Sequence, residues 1–148
     1  MFHDEAKRLA WDDRMNHLER VESEGTASNE FIQYFQVAKS NLPVVSQRDC
    51  LVRVQKKENY PREGEFVYAF THHVDERFPE NANGLIRSKV VLNGYHFKPS
   101  GQGEGTIVEW FANLNVLGSI PGWLFRKATV KLHLNQYTAL VRYLNQNS

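Results

Sequence analysis

The stretch LGSIPGWLFRKATVKL, residues 117–132, decides the fold because an apolar strand ends within it and a basic helix begins. Pro121 and Gly122 interrupt the apolar run. Proline in a first helical turn, with Ser119 before it as a cap, is typical of a helix start. We therefore predict one long helix from residue 121 to about residue 145.

The apolar residues of this helix fall into two stripes when they are projected at 100° per residue. One stripe consists of Trp123, Val130, Leu134, Tyr137 and Val141, and the other of Phe125, Ala128, Leu132, Ala139 and Tyr143. A helix that lies on a sheet needs only one stripe. The second stripe must then face another wall, a ligand, a membrane or a partner, and a neighbouring loop or an absent chain would cover it equally well.

Six segments before this helix are typical of β-strands, because they alternate or are rich in aromatic and β-branched residues. They are HLERVESEG, NEFIQYFQVAK, RDCLVRVQKKEN, EFVYAFTHHVD, LIRSKVVLNGYHFKP and TIVEWFANLNVL. In the third segment Cys50, Val52 and Val54 share one face. We expect a bulge at Gly94 in the fifth. With a short helix over DEAKRLAWDDRM, the pattern predicts an α+β fold: one domain over residues 1–148, in which a long helix crosses a meandering antiparallel sheet.

The composition favours a soluble protein of the reducing cytosol. No apolar run approaches the 18 residues of a transmembrane helix, and the charged N-terminal stretch does not look like a secretory signal. Cys50 is the single cysteine, so an internal disulfide framework is impossible and a buried structural thiol is expected.

Charge is distributed unevenly along the chain. Residues 1–30 contain eight acidic and four basic residues, whereas residues 119–148 contain four basic residues and no acidic one. This gradient indicates that the C-terminal end contacts something anionic. The alternative is a solvated helix whose last-turn bases suit its dipole.

No catalytic or metal site is apparent. His72 and His73 are adjacent on a strand and point to opposite faces, so they cannot bind one metal together. Asp12 and Asp13 diverge on a helix, and we expect them at the surface. The sequence therefore predicts no enzyme, no cofactor, no metal and no nucleic-acid partner.

Four stretches in this order, AWDD, SQRDCLVRV, GLIRSKVVLNGYHFKP and WFANLNVLGSIPGWL, resemble a START domain of the StAR-related lipid-transfer family. The resemblance runs from about residue 4 to residue 146. It implies a helix-grip fold, in which a curved antiparallel sheet packed around a long C-terminal helix encloses a tunnel for one lipid. The chain lacks the opening part of such a domain. An N-terminally incomplete fold would leave an open strand edge, to be covered by a missing domain half or a partner chain.

The resemblance is closest to members that carry phosphatidylcholine or ceramide, which implies a phospholipid or ceramide rather than a sterol. Gln36 matches a hydrogen-bonding glutamine of ceramide carriers, Trp110 replaces a pocket tyrosine, and Thr71 matches an asparagine that contacts the head group. The strand phase of Gln36 and Thr71 stays open, since either side chain could point outward. The expected lipid-binding residues are Tyr34, Gln36, Val52, Val54, Thr71, Trp110, Leu124 and Leu132.

The predicted function is intracellular lipid binding and transfer by a cytoplasmic protein that contacts anionic membranes transiently. The alternatives are a lipid-sensing domain of a larger protein and a helix-grip enzyme. The expected gate and membrane contacts are Leu42, Val44 and Val45 in the loop around Pro43, and Trp123, Arg126, Lys127 and Lys131 at the helix start.

Overall fold

The computed structural model describes residues 4–21, 29–37, 46–101, 105–117 and 122–147, without the side chains of residues 124–129 and 132. Within these residues, two α-helices and seven strands form in the order α1 (Glu5–Trp11), β1 (Met15–Val21), β2 (Glu30–Val37), β3 (Arg48–Glu58), β4 (Phe66–His72), β5 (Ile86–Arg87), β6 (Lys89–Pro99), β7 (Thr106–Asn115) and α2 (Gly122–Gln146), with a 3-10 helix at Ala82–Gly84 between β4 and β5. The predicted α+β architecture is confirmed.

The strands form one sheet in the order β1-β2-β3-β4-β6-β7, in which successive strands of this order pair antiparallel. The predicted fifth strand is divided, because the short β5 leaves the meander and pairs parallel with the start of β3. Among the described strands, β1 and β7 lie at the two edges of the sheet.

The bulge expected at Gly94 lies instead between Val90 and Leu92 of β6. Gly94 lies in β6 where residues of both neighbouring strands, β4 and β7, approach its backbone closely. A Cβ atom there would lie 2.1 Å from the Tyr68 carbonyl oxygen and 2.6 Å from the Phe111 ring. Only glycine lets the Phe111 side chain cross this point of the sheet.

Residues paired across antiparallel strands share a face, so the register divides the sheet into two faces. The face toward α2, called the inner face below, carries a buried cluster of Phe31, Cys50, Val52, Val54, Tyr68, Val90, Tyr95 and Phe97. The outer face carries Val21, Ile32, Tyr34 and Leu51, with Phe78 of the β4–β5 connection packed on them. Both faces of β2 and β3 are therefore buried at the centre of the sheet.

A buried ion pair holds the β4–β5 connection to the outer face. Arg87 Nε and Nη2 donate to the two carboxylate oxygens of Asp49 at 2.9 and 2.8 Å, and Nη2 also donates to the Phe78 carbonyl at 3.2 Å. Bidentate pairs of this kind combine strength with directionality. They fix β5 and its preceding loop against β3.

Cys50 is buried in the inner cluster, as expected of a structural thiol. Burial raises the pKa of this thiol to about 12. The thiol therefore stays protonated at neutral pH and is a poor nucleophile.

Candidate functional site

A narrow cleft lies between α1 and the inner face of the sheet. Its volume is about 40 Å³, which is room for about one water molecule. It is lined by Arg8, Met15, Leu18, Gln33, Phe35, Val52, Phe70, Val90, Asn93 and Tyr95. Six of these ten side chains are wholly apolar, so the cleft combines an apolar wall with a few polar groups, which is the usual composition of a small-molecule site.

The polar end of the cleft is a network centred on the buried carboxylate of Asp12. Arg8 Nη2 donates to Asp12 Oδ2 at 2.7 Å, and Arg14 donates to both carboxylate oxygens at 2.8 Å. Asp12 is 1% exposed. Burial alone would raise the pKa of this carboxyl, but the hydrogen bonds and charge of Arg14, with the charge of Arg8, hold it below its ordinary value.

The same network reaches α2 through Gln136. Its Nε2 donates to Asp12 Oδ2 at 3.1 Å and to the Tyr95 hydroxyl oxygen at 3.2 Å. Arg8 Nη2 also lies 3.4 Å from that hydroxyl. One buried polar cluster therefore joins α1, β6 and α2 above the cleft.

Two amide groups in the cleft wall have a buried atom without a hydrogen-bond partner in the described part of the chain. They are Nε2 of Gln33, a donor, and Oδ1 of Asn93, an acceptor. Gln33 is only 4% exposed. A buried polar atom left unpaired costs about 1–3 kcal/mol, so such a pair is more typical of a ligand site than of a packed core.

Three predicted lipid-binding residues lie on the inner face. Val52 lines the cleft, and Val54 belongs to the adjoining buried cluster. Trp110 pairs with Tyr95 across β6 and β7, and its ring lies 3.8 Å from that of His133 on α2. Trp110 therefore faces the helix rather than the opposite side of the sheet.

The expectation that Tyr34, Gln36 and Thr71 share this pocket is wrong, because the register places them on the outer face. Gln36 Nε2 donates to the Tyr34 hydroxyl at 3.2 Å, and the Tyr34 ring lies 4.9 Å from that of Phe78. Thr71 pairs with Arg53, whose side chain points away from Val52 and Val54. The glutamine of β2 that reaches the cleft is Gln33.

The sequence reasoning also misplaced Asp12, which it assigned to the surface, and did not single out Arg8, Gln33 or Gln136. Asp12 is buried because Arg8 and Arg14 neutralise it, whereas Asp13 beside it is exposed. The signal was available: an arginine four residues before the aspartate and another two after it can both reach its carboxylate.

Several predicted contacts lie outside the described residues. They are Leu42, Val44 and Val45 of the expected gate, and the side chains of Leu124, Arg126, Lys127 and Leu132. Trp123 and Lys131 of the predicted membrane contact are exposed.

One of the two predicted stripes of α2 faces solvent along most of its length. Trp123, Val130, Leu134 and Tyr137 are 62–67% exposed. Ala139 and Tyr143 of the other stripe are half-buried. Among the residues that the structure describes, no helix is both long and apolar enough to cross a membrane. Nor does any group of three His, Cys, Asp or Glu side chains within the described ranges form a metal site.

Comparison with known proteins gives a family and a fold. A family model for the START domain matches residues 1–148. The human StAR-related lipid transfer protein 5 superposes with a TM-score of 0.82 at 17% identity, over 94% of this chain and 64% of that one. Human STARD10 superposes with a TM-score of 0.79 at 17% identity, over 98% of this chain and 57% of that one. A fragment of the STAR-related lipid transfer protein from Xanthomonas axonopodis superposes with a TM-score of 0.70 at 19% identity, over 97% of this chain and 75% of that one.

The chain spans less than two thirds of the length of the two human structures. No curated protein matches the sequence.

Proposed function

Since the chain belongs to the START domain family, we propose that it binds one lipid on the inner face of its sheet and carries it between membranes in the cytoplasm. Two of the matched structures are named as lipid transfer proteins. Free lipids transfer slowly because each acyl CH₂ exposed to water costs about 0.8 kcal/mol. An apolar protein cleft removes that cost without making or breaking a bond.

The observation that carries this proposal is the pair of unpaired amide atoms in an otherwise apolar cleft wall. Gln33 supplies a donor and Asn93 an acceptor. A ligand that satisfies both needs a donor as well as an acceptor, as a hydroxyl or amide group provides, attached to an apolar body. A ceramide supplies both, and a sterol hydroxyl also can, whereas an ester carbonyl of a phospholipid can accept only from Gln33.

Val52, Val54 and Trp110 remain in the proposed lipid-binding set, with Leu124 and Leu132 from the helix above. Gln33 and Asn93 take the polar role that the sequence assigned to Gln36 and Thr71.

The test compares two leucine variants of one strand. Gln33→Leu removes the buried amide from the cleft, and Gln36→Leu makes the same change three residues away on the outer face. Binding of fluorescent ceramide and phosphatidylcholine should fall about 5- to 30-fold in Gln33→Leu, because one ligand hydrogen bond is worth about 1–2 kcal/mol. Gln36→Leu should bind like the wild type.

Stability distinguishes lost recognition from lost folding. Gln33→Leu removes an unpaired buried donor and should unfold at the same or a higher denaturant concentration than the wild type. Equal binding by both variants, or equal losses, would contradict the proposal.

We also propose that the start of α2 contacts the donor membrane. Trp123 is 65% exposed, and an indole suits the boundary between lipid and water. Arg126, Lys127 and Lys131 follow within three turns, with no acidic residue from 119 to 148. The apolar loop residues Leu42, Val44 and Val45 complete this proposed docking edge as its gate.

A further inference from the structure

β7 lacks the features that usually prevent an edge strand from pairing with another strand. It has ten residues, none of them lysine or proline. Its one charged side chain, Glu109, is already paired with Lys98 and lies 3.0 Å from His96 Nδ1. The opposite edge strand, β1, has seven residues, contains charged side chains of both signs and has an irregular register at its start. Of the two edges, β7 is therefore the better template for an added strand.

The side chains of β7 that face α2 are apolar and accessible. Val108 and Trp110 are 42% and 37% exposed. Their partners on β6, Phe97 and Tyr95, are buried. The apolar inner face of the sheet therefore continues to the edge without being covered there, and a strand added beyond β7 would cover it.

An exposed stripe of α2 lies above the same edge. On the side of α2 toward the sheet, Gln136 contacts Tyr95 of β6, and His133 contacts Trp110 of β7. His133 lies about 60° around the helix axis from Gln136. Further in the same direction, at about 100–160° from Gln136, is the exposed stripe of Val130, Leu134 and Tyr137. This stripe and the edge strand form one surface, called the β7 corner below.

The β7 corner needs an occupant of a particular kind. The outward N–H and C=O groups of β7 require the backbone of another strand, which a lipid surface does not offer. Side chains on that strand must cover Val108 and Trp110, and an apolar surface above it must cover the stripe of α2. The chain itself carries both parts in one unit, β7 with α2.

We propose that two copies of this chain associate through their β7 corners, with the two β7 strands antiparallel about a twofold axis. Residues paired across antiparallel strands share a face, so both α2 helices lie on one side of the joined sheet and each stripe faces the other. With the axis at Phe111, Val108 lies opposite Leu114 of the second copy, and Trp110 opposite Ala112. The association does not depend on the lipid-binding function.

The charges of the chain are compatible with this pairing. Like charges would meet across the strands only in a register centred on Glu109, because β7 has no other charged residue. Lys131 and Arg142 lie about 120–140° from Gln136 on the flank of α2 opposite the stripe. They therefore point away from the second copy.

Sedimentation velocity of the purified chain, from about 1 µM to about 1 mM, measures the association. We expect the 17.2 kDa monomer to convert reversibly to a dimer as the concentration rises. A chain that stays monomeric over this range contradicts the proposal and leaves the edge to a strand of a different protein.

Val108→Lys tests the strand. A lysine on an edge strand opposes pairing, and at this accessible position its ammonium group can reach water in the monomer. The Kd of the dimer should rise about tenfold or more, since the change occurs twice in a twofold interface. The matched control is Val74→Lys, at a 72% exposed position after β4, which should leave the Kd unchanged. Equal weakening by both lysines would mean that net charge controls the association, and the proposal would be wrong.

Leu134→Lys tests the contribution of α2. Its control, Asn135→Lys, adds the same charge on the opposite flank of the helix, where residue 135 is exposed. Leu134→Lys should weaken the dimer and Asn135→Lys should not. A dimer that tolerates both changes would contradict a single surface formed by β7 and α2.

Hydrogen exchange locates the interface without any substitution. Amides of residues 107–114 should exchange more slowly as the protein concentration rises, because the second copy accepts from their outward N–H groups. Amides of β1 should not change. Concentration-dependent protection at β1 instead of β7 would overturn the proposal, whatever the lysine variants show.

Discussion

β3 and β7 belong to one sheet and have nearly equal lengths, eleven and ten residues, but their environments are opposite. β3 lies between β2 and β4, and Leu51, Val52 and Val54 are fully buried. In the described part of the chain β7 pairs with β6 alone, and eight of its ten residues are exposed. The free energy of folding therefore comes mainly from the centre of the sheet, whereas the side chains of β7 at the edge stay accessible for contacts.

The same contrast separates the sheet from α2. The sheet is held by apolar clusters on both faces, whereas the contacts to the sheet made by the described side chains of α2 include the hydrogen bond from Gln136 to Tyr95 and the Trp110–His133 ring contact. Apolar burial makes the strands cooperative, and polar contacts can be exchanged for water at small net cost.

The largest expected effect comes from truncating the same residue type in the two strands. Leu51→Ala leaves a cavity in the outer cluster and should lower the free energy of unfolding by about 2–5 kcal/mol. Leu114→Ala, at a half-buried position of β7, should cost about 1 kcal/mol because its surroundings are already open to water. Urea unfolding followed by circular dichroism measures both.

Equal losses in these two variants would show that β7 is as much a part of the folding core as β3. The proposed difference between β3 and β7 would then be wrong. So would the inference that β7 contributes to contacts with other molecules more than to the stability of the fold.

A smaller effect is expected from charge reversal on α2. Lys127→Glu with Lys131→Glu should weaken binding to vesicles that contain phosphatidylserine about 5- to 30-fold, since each base near an anionic bilayer is worth about 1 kcal/mol. Binding to neutral vesicles should change little. The effect should shrink at high salt, because exposed charges are screened.

The control reverses two exposed charges away from α2, with Lys57→Glu and Arg62→Glu in and after β3. If both double variants lose the same affinity, net charge rather than the α2 surface controls binding. If neither loses affinity, the basic residues of α2 form only a solvated surface.

The strands and helices of this fold could be predicted from the sequence because apolar residues recur with a different period in the strands than in the long helix. The faces of β3 were also predictable, since Arg53 and Gln55 mark the side opposite Val52 and Val54. The faces of β2 were not, because large apolar residues lie on both sides of the run FIQYF and its one polar residue, Gln33, is itself buried and does not mark the solvent side. That ambiguity is why the sequence favoured Gln36 over Gln33.

The polar network was hidden from sequence reasoning for a different reason. Asp12, Tyr95 and Gln136 are far apart in the chain, and only the folded sheet with its two α-helices brings them within hydrogen-bond distance. Charged residues near a short helix are usually solvated. Burial of Asp12 depends on partners from the same helix and from the far end of the chain.

The central claim, that the lipid binds on the inner face of the sheet, is tested most directly by methyl NMR during a titration with short-chain phosphatidylcholine or ceramide. Neighbouring residues of β3 supply the internal control, since Val52 lines the cleft and Leu51 belongs to the outer cluster. We expect the methyl signals of Val52, Val90 and Leu18 to shift with the ligand, while those of Leu51 and Ile32 stay in place. Shifts confined to Leu51 and Ile32, or no saturable shift at any of these methyl groups, would contradict the account.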